Sequence, residues 1–133
     1  MRKNFLRIGG ILAALAVILG AFGAHTLEEA IAPDQLEIFK TGVTYQFYHS
    51  FAILIVAVLG HFGRKSRLVI AGWLFVGGII LFSGSLYLLA VREVMNLNVA
   101  WLGPITPVGG TLFIVGWVFF ILATFQEGER KKS

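Results

Sequence analysis

The sequence predicts an all-α integral membrane protein: a four-transmembrane-helix bundle, N and C termini cytoplasmic, with a short interfacial helix before the second span. Three observations predict it. Of the 133 residues, 57% are hydrophobic and 14% charged, where a soluble domain carries about 45–50% and about 25%. The excess, which lifts the mean hydropathy to +0.83, collects into four runs of the length that crosses a hydrocarbon core, about 20 residues. Lys and Arg gather at alternate ends of those runs. Four spans leave little chain for anything else, so residues 1–133 are expected to form a single membrane domain.

The first span is expected over residues 6–24, behind Arg2, Lys3 and Arg7. Its basic start and small residues at Ala21 and Gly23 imitate a secretory signal, but the apolar stretch exceeds the usual signal core of about 7–15 residues. It is therefore expected to be retained as a span. Gly9, Ala13, Ala16, Gly20 and Gly23 follow one another at spacings of four and three, which lays a smooth strip along one helical face. In lipid, helices associate through close approach at small residues, so this strip reads as a packing seam.

The segment between the first two spans, "HTLEEAIAPDQLEIFKTG", carries helix signals of its own. Pro33 suits a first helical position, and Asp34 and Glu37 favour the positive end of the helix dipole. Leu36, Phe39 and Val43 make one apolar stripe. The second span is expected over residues 42–62. A helix running from Pro33 to Phe62 measures about 45 Å at 1.5 Å per residue, against a core of about 30 Å. Its first turns must protrude or bend to lie at the interface, with Gly42 as the candidate bend.

The third span is expected over residues 68–90 and the fourth over residues 105–125. Gly77 and Gly84 in the third, and Gly109 and Gly116 in the fourth, repeat a seven-residue spacing that again reads as packing. The stretch "WLGPITPVGG" opens the fourth span, and Pro104, Pro107, Gly109 and Gly110 predict a break or irregular start there. Trp101 fits an interfacial aromatic belt.

Orientation follows from Lys and Arg. Arg2, Lys3, Arg7, Arg64, Lys65, Arg67, Arg130, Lys131 and Lys132 fall on one side of four alternating helices, and only Lys40 and Arg92 on the other. The positive-inside rule places that first side in the cytoplasm. The net charge of +4 is thus a topology and lipid-headgroup signal, and nucleic acid is excluded as a partner. Membrane lipids are the expected partners, with self-association into a homo-oligomer as a further possibility.

Depth then orders the polar residues. Gln46 and His49 lie about 6 and 10 Å below the outer end of span two at 1.5 Å per residue. Ser83, Ser85, Tyr87, Thr106 and Thr111 share the outer half, and His25 closes span one at the outer boundary. The inner halves are nearly pure hydrocarbon. A conduit needs polar groups along its whole path, and no Asp, Glu, Lys or Arg stands at midplane. One protomer is therefore not expected to form a channel.

No cofactor or metal is expected. The chain lacks cysteine, and its three histidines, His25, His49 and His61, fall at different depths. No carboxylate near His49 in sequence supports a catalytic role. The candidate residues are His25, Gln46, Tyr48, His49, Ser83, Ser85, Tyr87 and Thr106, as a ligand site or as polar packing between helices.

The strings "GAFGAH", "YQFYH", "FSGSLY" and "GPITPVGG" together resemble the domain-of-unknown-function 423 family, the ywdK/ygdD-like small bacterial inner-membrane proteins. The likeness runs from about Gly20 to Trp117 and keeps the motif order. It implies a four-span protein of the bacterial inner membrane and no assigned biochemical activity. The leading expectation is a non-enzymatic membrane protein with an outward-facing polar pocket for a lipid, a small amphiphile or a partner helix. An oligomeric transporter or channel subunit comes second, and an intramembrane enzyme third.

Overall fold

The computed structural model describes residues 2–63 and 65–126, apart from the side chain of Arg2. Arg64, Arg130, Lys131 and Lys132, which enter the orientation argument, lie outside the described residues. All regular structure among the described residues is helical, and four helices are long and apolar enough to cross a membrane. They cover Lys3–Ala30, Pro33–Phe62, Ser66–Ala90 and Ala100–Ala123.

Helix α1 spans Arg2–Phe22 and runs on through a π-helical turn at Gly23–Leu27 into the single turn α2, Glu28–Ala30. The chain breaks at Ile31, whose extended backbone leads into Pro33. Proline is tolerated there because a first-turn N–H has no intrahelical partner. Helix α3, Pro33–Leu59, then continues without interruption through Gly42. The expected bend at Gly42 is therefore not formed. There is no separate interfacial helix ahead of the span, since the apolar stripe of Leu36, Phe39 and Val43 is buried in the body of α3.

Gly63, at φ 142°, turns the chain after α3 in a conformation that favours glycine. Helix α4, Ser66–Gly78, passes through a second π turn, Ile79–Ser83, into α5, Gly84–Ala90. Helix α6, Ile105–Ala123, starts behind Pro104 and holds Pro107, Gly109 and Gly110 in regular helix. The expected break is therefore confined to the start. Pro107 stands in the first turn, where its missing N–H costs no hydrogen bond.

In space, α1 packs chiefly on α3, and α6 chiefly on α4 and the π turn that follows it. Helix α3 also meets α4 and α5, so spans two and three are central and spans one and four peripheral. Two apolar clusters result. The inner one joins Phe5, Ile53, Val56, Leu68, Phe75, Ile79 and Phe113, and the outer one joins Leu27, Ile31, Leu36, Phe39, Val43 and Ala90.

Glycines set the helix spacing by seating aromatic rings. A Cβ at Gly72 would stand 2.6 Å from the Phe5 ring, and one at Gly42 would stand 2.7 Å from the Tyr87 ring. Between spans three and four the sockets are reciprocal: Phe113 fills the space at Gly78, and Phe75 approaches a Cβ at Gly116 to 2.8 Å. Gly109 packs directly on the backbone of Leu81 and Phe82 in the π turn.

The glycines singled out from spacing divide accordingly. Gly9 lies against Leu54, Gly23 against Phe39 and Gly77 against Leu112, while Ala16 is fully buried and Ala13 half-buried. Gly20 leaves ordinary contact space beside Val43, and Gly84 faces open space. Gly84 departs from the expected seam because a π turn lies between it and Gly77. One extra residue in a turn rotates the downstream face by about 100°, which defeats a seven-residue rule.

Candidate polar site in the outer half

The polar layer begins at Gln46, on the α3 face that meets both neighbours. Its Nε2 donates to the Leu12 carbonyl of α1 at 2.7 Å, and its Oε1 accepts from the Tyr87 hydroxyl of α5 at 2.5 Å. One buried amide thus ties three spans together. One turn on, Ser50 is fully buried and donates to the Gln46 carbonyl at 2.6 Å.

His49 faces the other way, toward α4 and α6. The Trp117 indole N–H, which can only donate, points to His49 Nε2 at 3.0 Å. Nε2 is therefore the acceptor, and the ring proton sits on Nδ1, which donates to the Tyr45 carbonyl at 2.8 Å. The imidazole is neutral with both nitrogens engaged. It stacks on Phe113 with ring centroids 3.6 Å apart and 12° between planes, with Phe75 tilted beside it at 5.5 Å.

Ser83 and Ser85 leave span three on opposite sides, as residues two apart on a helix must. Ser83 donates to the Gly42 carbonyl of α3 at 2.7 Å. Ser85 donates to the Phe82 carbonyl at 2.8 Å and so accepts from the Thr106 hydroxyl of α6 at 2.6 Å. Among the described residues, no fully buried side-chain nitrogen or oxygen lacks a partner.

Of the residues expected at a site, the structure joins Gln46, Tyr87, His49, Ser83, Ser85 and Thr106 to the network between spans. It does not bring in His25 or Tyr48, which are exposed, Tyr48 to 60%. Nor does Thr111 join, since it is exposed and bonds its own helix at Pro107. Spacing gave no sign of Trp117, Phe113 or the Leu12 carbonyl, which reach the layer from distant parts of the chain. Gln35 was also missed. It is 3% exposed and stands on the same face of α3 as Gln46, about three turns above it; no described group hydrogen-bonds to its amide, whose polar atoms are not fully enclosed.

The layer lies between the two apolar clusters, with Leu36, Phe39 and Val43 above it and Ala52, Ile53 and Val56 below along α3. Among the described residues, no three His, Asp or Glu side chains come together as metal ligands. Ser50 and Ser83 are spent on backbone carbonyls, and Ser85 on a carbonyl and Thr106. What the arrangement performs is cross-linking: uncharged donors and acceptors hold the four spans at one level.

A family model described as "Protein of unknown function (DUF423)" matches residues 19–110, more than half of the chain and the part that contains most of this layer. The chain belongs to that family. Relatives named as UPF0382 membrane proteins cover almost all of it. One from Staphylococcus aureus strain bovine RF122 is 46% identical over 93% of this chain and 97% of its own. The YwdK protein of Bacillus subtilis is 44% identical over 93% of this chain and 98% of its own, and one from Staphylococcus epidermidis is 42% identical over 93% and 97%. No solved structure matches significantly. This DUF423 member is thus a multi-pass bacterial membrane protein of a family without assigned function.

Proposed function

We propose that this DUF423 protein is a non-enzymatic membrane protein that takes a lipid headgroup or small amphiphile at the outer side of its polar layer. The observation that carries the reading is Gln35. Its side chain is packed down, while its amide has no intramolecular partner and is not enclosed, which leaves a donor and an acceptor ready for a group outside the fold. Gln35 stands at the outer end of α3, level with the headgroups, where Asp34 and Glu37 start the helix. Below it, past the apolar cluster of Leu36, Phe39 and Val43, the side chains of Gln46, His49, Ser83 and Ser85 are already satisfied within the bundle. Among the described residues that layer holds no charged group and no nucleophile–base pair, which supports a binding role over catalysis.

The test compares the full chain with Gln35→Leu after reconstitution in phosphatidylethanolamine vesicles, counting lipids retained on gentle extraction by native mass spectrometry. Gln35→Leu should fold at least as stably and retain fewer lipids. Equal retention sinks the reading.

A second reading is a transporter or channel subunit assembled from several copies. It is supported by the first span, whose exposed residues include Gly10, Ala14 and Ala21 of α1 and Ala24 of the π turn, the small residues that close helix pairing uses. Cross-linking in vesicles that returns only monomer removes it.

A further inference from the structure

A cleft of about 270 Å³ opens at the inner end of the bundle, away from the polar layer. Its walls are Leu59 and Phe62 at the end of span two, Leu68 at the start of span three, and Phe120 and Ala123 at the end of span four. Lys65 stands at the mouth, half-buried, with no ion-pair partner among the described residues. The Thr124 hydroxyl, also at the rim, is spent on the Ile121 carbonyl at 2.7 Å.

The mouth is built. The Arg67 backbone N–H donates to Gln126 Oε1 at 3.0 Å, the Arg67 guanidinium donates to the Leu122 carbonyl at 3.3 Å, and Gln126 Nε2 donates to Ser66 Oγ at 2.9 Å. This brace ties the start of α4 to the end of α6 and fixes the cleft between them. It leaves the remaining Arg67 donors exposed next to Lys65, and α4 turns the positive end of its dipole to the same place.

We propose that the cleft binds an anionic phospholipid of the cytoplasmic leaflet, with one acyl chain between Leu59, Leu68 and Phe120 and its phosphate on Lys65. The size selects a chain segment. An apolar cavity of about 150 Å³ already admits a benzene ring, whereas whole drug-sized ligands need about 300–1,000 Å³. Charge selects the headgroup, because the apolar walls end at the Lys65 ammonium, which has no ion-pair partner among the described residues, with a second cation beside it, on the side that the positive-inside rule assigns to the cytoplasm. A peptide helix, at about 10 Å across, is a poorer fit to a cleft of about 270 Å³.

The experiment loads the full-length protein in detergent with phosphatidylglycerol or phosphatidylcholine and counts retained lipids by native mass spectrometry. The wild type should retain phosphatidylglycerol in preference. Lys65→Gln should cut that preference about fivefold, the factor for one lysine at an anionic surface. Ala123→Phe, which fills the cleft, should remove retention of both lipids. If Ala123→Phe fails to fold, Lys65→Gln still decides, because no described group is held by the Lys65 side chain. Equal retention of the two lipids by the wild type, or an unchanged preference in Lys65→Gln, overturns the proposal.

Discussion

At His49, the decisive fact is that the residue is used up. Trp117 gives it one hydrogen bond and the Tyr45 carbonyl takes another, so the ring is held neutral in one tautomer between aromatic faces. Trp117→Phe keeps the ring packing and strands Nε2. Interhelical hydrogen bonds in membranes average about 0.6 kcal/mol and reach about 1.7, and a loss in that range should appear as a lower unfolding midpoint in detergent. No change would show that the bond contributes nothing. Tyr87→Phe tests the other arm of the layer in the same range, because it leaves Gln46 Oε1 buried and unpaired. Combined with Gln46→Leu, which removes the amide as well, the loss should be less than additive in a double-mutant cycle. Strict additivity would mean that the two groups are not coupled.

The helices are held by ring-in-glycine sockets, and these give sharper predictions than the seams that spacing suggests. At Gly109 the neighbour is backbone, which no side-chain rotation relieves. Gly109→Ala should therefore push α6 off the π turn and cost about 1–3 kcal/mol, the range for overpacking. At Gly84 nothing stands within reach of a new methyl. Gly84→Ala should leave the unfolding midpoint unchanged or raise it by the ~0.5–1 kcal/mol that separates alanine from glycine in a helix. Equal effects at the two positions would disprove the socket arrangement. The contrast also shows what spacing conceals. Both glycines repeat at seven residues from a neighbour, but the π turn at Ile79–Ser83 separates Gly77 from Gly84 and none separates Gly109 from Gly116. A π turn leaves no mark in the apolar pattern, because every residue in Ile79–Phe82 is apolar whichever way it faces.

For the molecule as a whole, the uneven charge of the two ends predicts its orientation. A fluorescent protein fused after Ser133 should fold and fluoresce in the cytoplasm, and a periplasmic phosphatase at the same place should stay inactive. The opposite pair of results would reverse the topology. The four spans, their order and their membrane environment were legible in the sequence because each depends on sums over adjacent residues: hydropathy along a run, and Lys or Arg at its ends. Much of the polar layer was legible too, since Gln46, His49, Ser83, Ser85, Tyr87 and Thr106 are conspicuous in such apolar surroundings and depth places them at one level. Their partners were not. Gln46 reaches Leu12 across 34 residues, Tyr87 across 41, and His49 meets Trp117 across 68. No local sum contains that information. Which glycine seats which ring, where a helix widens into a π turn, and whether an amide such as that of Gln35 finds a partner are settled only when the helices dock, because each depends on the direction of a side chain from another span.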